Sequence, residues 1–128
     1  MRLLLDTHAL LWTVEASSRL SARVVEVLGD PDTEKLISAV SVYEICLKYR
    51  LGKLPGAATL IDRFEQVIAE TRSVLLPVTF AHAREAGLLD MSHKDPFDCL
   101  LIAQARVERV AIVSNESVFD AFGLERIW

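Results

Sequence analysis

Four short apolar runs, at residues 3–6, 36–40, 74–78 and 110–113, recur along this chain with helix-patterned stretches between them. The runs are nearly continuous in Leu, Ile and Val rather than alternating with polar residues. That is the pattern of strands buried on both faces of a parallel sheet. Between them the apolar spacing changes to the helical period. Leu20, Val24, Val25 and Leu28 share one face over 18–28, and Leu60, Phe64, Val67 and Ile68 share one over 59–70. Further helices are expected over 6–14, 41–50, 80–89, 96–107 and 116–122, with an edge strand over 125–128. Strands alternating with helices in this way imply an α/β fold whose sheet is covered on both sides. In such sheets ligands bind beyond the carboxyl ends of the strands, where the strand order reverses. The residues just after each strand therefore carry the information about function.

The size of the chain suits such a fold. Its 128 residues fit one domain, 1–128, able to bury a core without disulfide or metal staples. With 52% hydrophobic and 25% charged residues the chain is not of disordered composition. No apolar stretch approaches the ~18 residues of a membrane span, and the opening Met1-Arg2-Leu3-Leu4-Leu5-Asp6 turns acidic too soon for a signal peptide. A soluble cytoplasmic protein with no membrane partner is expected. Cys46 and Cys99 lie in apolar helical stretches without zinc-ligand spacing and read as buried thiols. A net charge of −4 argues against a surface that wraps a polyanion on all sides. It leaves room for a local basic patch, or for a metal ion that supplies the positive charge.

The positions after the strands are unusually acidic. Asp6 follows the first, Glu44 lies early in the helix after the second, and Glu116 follows the fourth. Asp95 and Asp98 open the helix leading into the fourth strand. Each has an ordinary explanation. Ser41-Val42-Tyr43-Glu44 matches a capping box with Ser41 as N-cap, and Asp95-Pro96-Phe97-Asp98 matches a capped helix start with Pro96 at the first position. Asp6 and Glu116 suit helix N-termini through the dipole. As a set they are harder to dismiss, because in a parallel sheet these junctions share one edge. Two carboxylates ~4 Å apart repel by about 4 kcal/mol at an effective dielectric of ~20. Gathering several requires raised pKa values or a cation among them. Hard oxygen donors with little His or Cys nearby suit Mg²⁺ or Mn²⁺, ions that bind phosphates and activate water.

Leu5-Asp6-Thr7-His8, Ser41-Val42-Tyr43-Glu44-Ile45, His93-Lys94-Asp95-Pro96-Phe97-Asp98 and Leu101-Ile102-Ala103-Gln104-Ala105 together resemble the PIN-domain family. Within it the chain is similar to VapC-type toxins of toxin–antitoxin pairs. The motifs stand in the family's order from Leu5 to Glu116. The resemblance implies a three-layer α/β/α sandwich with a central parallel sheet of strand order 3-2-1-4-5. It also implies Mg²⁺-dependent endoribonuclease activity on RNA, inhibition by a small antitoxin protein, and a homodimer. Asp6, Glu44 and Asp98 match the first three family acids, with Asp6 and Asp98 as metal ligands and Glu44 completing or orienting the site. Glu116 stands in the fourth place, in Ser114-Asn115-Glu116 where the family usually has Thr-x-Asp. The extra methylene of Glu changes the reach of that carboxylate. Thr7, Asp95, Ser114 and Lys48 are the expected supporting or substrate-contacting residues.

Other residues have weaker claims. His8 suits orienting a loop or touching substrate. His93, Lys94, Lys48, Arg50 and Lys53 suit phosphate contact or a solvated surface. Trp12 and Trp128 suit packing rather than base stacking. Two rivals stay open. A phosphatase or phospho-acceptor domain would use an acid nucleophile, but no Asp-x-Asp-x-Thr follows the first strand. A catalytically weakened PIN-fold protein would bind RNA or a partner without cutting, and Glu116 is its best support.

Overall fold

The computed structural model describes residues 1–90 and 95–128. Five strands form one parallel sheet: β1 (Arg2–Leu5), β2 (Glu34–Ser38), β3 (Ser73–Leu76), β4 (Ala111–Val113) and β5 (Arg126–Ile127), in the order β3-β2-β1-β4-β5. The helices are α1 (Thr7–Val14), α2 (Ala22–Gly29), α3 (Ala39–Arg50), α4 (Ala58–Ile61), α5 (Phe64–Glu70), α6 (Phe80–Leu88) and α7 (Pro96–Glu108), with 3-10 turns at Pro55–Ala57 and Ser117–Phe122. β1 is central, and the chain leaves it first toward β2 and β3, then returns to its other side as β4. The strand order therefore reverses beside β1.

The period of two in the strands sorts the core into two layers. Leu3 and Leu5 of β1, Ile37 of β2 and Val113 of β4 face α1, α2, Ile45 of α3 and the α4–α5 segment. Leu4, Leu36 and Ile112, which stand opposite one another in register, face Leu101, Ile102 and Ala105 of α7 and Phe119. Leu3, Leu4, Ile45, Ile102 and Ile112 are fully buried. The result is the expected α/β/α sandwich with the expected strand order. Among the described residues no helix is long and apolar enough to cross a membrane. Cys46 and Cys99 are thiols, half-buried rather than fully buried.

Among the differences from the expected boundaries, three have a local reason. The helix after β2 starts at Ala39, not Ser41, because Ser38 is its N-cap and accepts the Val40 N–H at 3.0 Å. The apolar pair Ala39-Val40, read as the end of a strand, is the first turn of that helix. The expected helix over 59–70 is two short ones, α4 and α5, with a turn at Asp62 and Arg63. The helix expected from residue 18 begins at Ala22, capped by Ser21, whose hydroxyl accepts the Val24 N–H at 3.1 Å.

Candidate active site

The acids collect at the carboxyl edge of the sheet, on either side of β1. Asp6 directly follows β1, and its backbone N–H donates to the Val113 carbonyl at 3.0 Å, tying it to the end of β4. Its side chain caps α1 by accepting the Ala9 N–H at 2.7 Å. The cap expected on dipole grounds is thus real, and it coexists with a place among the acids. Asp6 is 4% exposed. Burial pushes its pKa from an ordinary 3.8 to about 6; the Ser114 hydroxyl and the Ala9 amide pull it back, Glu116 repels it, and His8 favours its charge.

Across the β1–β4 junction, Ser114 is fully buried and bridges two acids. It bonds Asp6 through its hydroxyl, and the same oxygen accepts the Glu116 N–H at 2.9 Å. That turn sets the start of the Glu116 side chain. Its Oε1 lies 3.6 Å from Nδ1 of His8, and no side-chain cap bond ties it to the 3-10 turn that follows. His8 in turn stacks on Trp12 at 5.6 Å between ring centroids, and Trp12 meets Trp128 at 5.6 Å. The two tryptophans are half-buried packing groups, as expected.

On the β2 side, Glu44 is buried in the middle of α3, and both its oxygens have protein partners. Oε1 accepts from the Thr7 hydroxyl at 2.7 Å, and Oε2 pairs with the Lys48 ammonium one turn along the helix. The Thr7 hydroxyl is also within 3.0 Å of the Ser41 hydroxyl. Ser41 therefore does not cap α3. It sits inside the helix, fully buried, where it supports the Thr7–Glu44 contact. Burial pulls the Lys48 ammonium down, but the Glu44 hydrogen bond and charge, with Asp95 and Asp98, more than offset it and raise its pKa. Arg50 and Lys53 are exposed beyond it.

At the start of α7, Asp95 is the N-cap, accepting the Phe97 N–H at 2.9 Å and the Asp98 N–H at 3.3 Å, with Pro96 in the first turn. Asp98 is half-buried in that first turn. His93 and Lys94 lie outside the described residues. Further along α7 a buried amide organises the floor. Gln104 accepts from the Ser38 hydroxyl at 2.5 Å and donates to the Pro77 carbonyl at 3.2 Å. It thereby joins the start of α3 to the segment after β3. Beside it, buried His82 accepts the Thr79 N–H and meets Glu108 at 3.0 Å. The sequence pattern alone did not reveal the Ser38–Gln104 pair, which links positions 66 apart.

The donor set suits a hard divalent cation: the carboxylates and Ser114 are oxygen donors, and Asp6 is a buried carboxylate whose charge lacks full compensation. Among the described residues no three His, Cys, Asp or Glu side chains converge closely enough to enclose an ion by themselves. Mg²⁺ does not need such a cage, because it is commonly held by one or two carboxylates and keeps several waters.

A PIN domain model matches residues 3–124. The chain belongs to the PIN domain family. Solved structures agree with this PIN domain in fold. VapBC2 from Rickettsia felis bound to a promoter DNA fragment matches with TM-score 0.68 and 14% identity, over 99% of this chain and 98% of that one. A toxin–antitoxin complex from Klebsiella pneumoniae matches with TM-score 0.66 and 14% identity, over 98% and 95%. FitAcB from Neisseria gonorrhoeae matches with TM-score 0.63 and 21% identity, over 98% and 96%. No curated protein sequence matches the chain significantly.

Proposed function

We propose that this PIN domain, taken as one unit over 1–128, is a Mg²⁺- or Mn²⁺-dependent endoribonuclease, the VapC-type toxin of a toxin–antitoxin pair acting in the cytoplasm. The observation that carries this is Asp6: a buried carboxylate with a raised pKa, at the point where the strand order reverses, with Glu116 beside it. A group in that state favours a cation as its partner. Asp6 and Asp98 would hold the ion. When bound, it supplies the positive charge that stabilises a phosphodiester under attack and makes water a better nucleophile. Thr7, Ser41 and Lys48 fix Glu44, which orients the site. Ser114 holds the loop that aims Glu116, and Glu116 positions the attacking water. Asp95 holds Asp98 in place by capping α7.

The antitoxin partner is proposed because solved structures of this fold include toxin–antitoxin complexes. The homodimer is proposed on family resemblance alone. The test is cleavage of single-stranded RNA by the purified chain. Cleavage should need Mg²⁺ or Mn²⁺, stop with EDTA, and disappear in Asp6→Asn and Asp98→Asn while circular dichroism is unchanged. Full activity in EDTA, or undiminished activity in either variant, overturns the assignment. Binding without cleavage in both metals would select the weakened, RNA-binding alternative that Glu116 favours.

A further inference from the structure

The Glu116 side chain makes no cap bond to the 3-10 turn it opens, so the backbone of residues 114–120 decides where its carboxylate stands. Arg126 of β5 holds that backbone at both ends. Its Nε and Nη2 donate to the two carboxylate oxygens of Asp120, at 2.7 and 3.1 Å, and its Nη1 donates to the Ser114 carbonyl at 3.1 Å. Asp120 lies in the 3-10 turn, and Ser114 directly follows β4. One guanidinium therefore closes the segment that carries Glu116. Ser114 is the fully buried end of that segment. Its N–H donates to the Ile127 carbonyl at 3.2 Å, and its hydroxyl serves Asp6 and the Glu116 N–H. β5 ends at Ile127, and the Ser114 carbonyl receives a side-chain donor there. A buried carbonyl left without a donor is costly.

We propose that Arg126 is a positioning residue for cleavage: by tying Asp120 to the Ser114 carbonyl, it fixes the turn that aims Glu116. The proposal rests on the ribonuclease assignment and adds to it a residue outside the acid cluster. Arginine suits the task because its planar fork meets a carboxylate with two N–H groups and keeps others for the carbonyl. A lysine ammonium is a single point and cannot span both partners in that way. Magnitudes favour positioning over stability. Asp120 is exposed, and exposed ion pairs contribute little to stability. A displacement of about 1 Å at a reacting group, in contrast, can cost about a hundredfold in rate. The loss of Arg126 should fall on Glu116 more than on Asp6, because Asp6 is also held by the Ala9 N–H and the Val113 carbonyl.

The test is steady-state cleavage of single-stranded RNA in saturating Mg²⁺, with amide hydrogen exchange in EDTA as a second readout. Arg126→Met should lower kcat about tenfold or more, as far as Glu116→Gln does. KM and the thermal midpoint should change little. The Glu116 and Phe119 amides should exchange faster, and those of β1 should not. Arg126→Lys should not restore kcat. Asp120→Ala opens the clamp from its exposed end and should give the same split to a smaller extent; it carries the test if Arg126→Met does not fold. In a Glu116→Gln background, Arg126→Met should cost little more. Arg2→Met, which breaks the exposed pair with Glu34, should change none of these. A wild type that cuts RNA and an Arg126→Met that cuts it equally well overturn the proposal and leave the ribonuclease assignment standing. Full rescue by lysine, or a loss that adds in full to that of Glu116→Gln, overturns it too. A loss confined to KM with unchanged exchange makes Arg126 a substrate contact and ends the positioning role. A wild type that cuts no RNA defeats both.

Discussion

Asp6→Asn should stabilise the metal-free protein in a pH-dependent way. The substitution keeps the side chain's size and an oxygen to accept the Ala9 N–H, but it removes the charge. In the folded state the Asp6 carboxyl ionises near pH 6 because burial disfavours its charge, whereas 3.8 is its ordinary value. Below about pH 4 both states hold the proton, and the residue costs no stability. Between about pH 4 and 6 only the unfolded chain releases it, so unfolding becomes easier as pH rises. Above about pH 6 both states are ionised and the cost levels off. At ~1.36 kcal/mol per pH unit, the gap between 3.8 and about 6 sets that plateau at about 3 kcal/mol. The variant escapes it. Urea unfolding in EDTA should show the two proteins alike near pH 4. Near pH 7.5 Asp6→Asn should be more stable by up to about 3 kcal/mol, less whatever its amide loses beside Ser114. Adding Mg²⁺ should narrow the gap by stabilising only the wild type. A difference that does not vary with pH would refute the argument, as would a variant less stable than wild type near neutrality.

Three further predictions use other parts of the site. Asp95→Ser should keep the cap on α7 and most of the cleavage activity, whereas Asp95→Ala should lower stability by about 1 kcal/mol in thermal or urea melts. If Asp95→Ser is as inactive as Asp98→Asn, Asp95 acts directly on the metal. Under the proposed assignment Glu116 acts on a water rather than on the ion, so Glu116→Gln should slow cleavage less than Asp6→Asn does, and Glu116→Asp should be tolerated. Equal loss in Glu116→Gln, unrelieved by Asp, would make Glu116 a direct participant. Ser38→Ala should cost about 1–3 kcal/mol, since it uncaps α3 and leaves the Gln104 carbonyl unpaired in the interior. Ser41→Ala should cost less, and the reverse order would return the cap to Ser41.

The layers, the parallel sheet and the acid-bearing edge could be read from the sequence because they depend on period and position. Leu3, Leu4 and Leu5 have to be buried on both faces, and the residue after such a strand has to emerge at the ligand edge. The order 3-2-1-4-5 came from resemblance rather than periodicity, since no local pattern says which strands are neighbours. Capping misled at Ser41 because Ser38 and Ser41 are equally good caps by residue type. The choice was made by Gln104, which engages only the former. The Glu44–Lys48 pair follows an i,i+4 spacing on a helix, although Lys48 was read only as a supporting or substrate-contacting residue. The Thr7 contact with Glu44 was not legible, because it joins residues 37 apart. The Tyr43–Phe97 ring contact was hidden for the same reason, because α3 and α7 have to pack before the rings meet.

The place of β1 in the sheet has a consequence for how the protein is made. Asp6 is synthesised 110 residues before Glu116. With β1, β2 and β3 synthesised, one edge of β1 still shows unpaired backbone groups, and the Val113 carbonyl that receives the Asp6 N–H does not yet exist. The junction closes only when a loop of more than a hundred residues closes with it, a non-local pairing that is slow compared with local helix formation. A chain cut short before β4 keeps Asp6 and Glu44 but cannot place Ser114 and Glu116 beside them. The acids are thus not assembled until β4 and the turn after it have been made, and until then the unpaired edge of β1 is open to pairing with another chain.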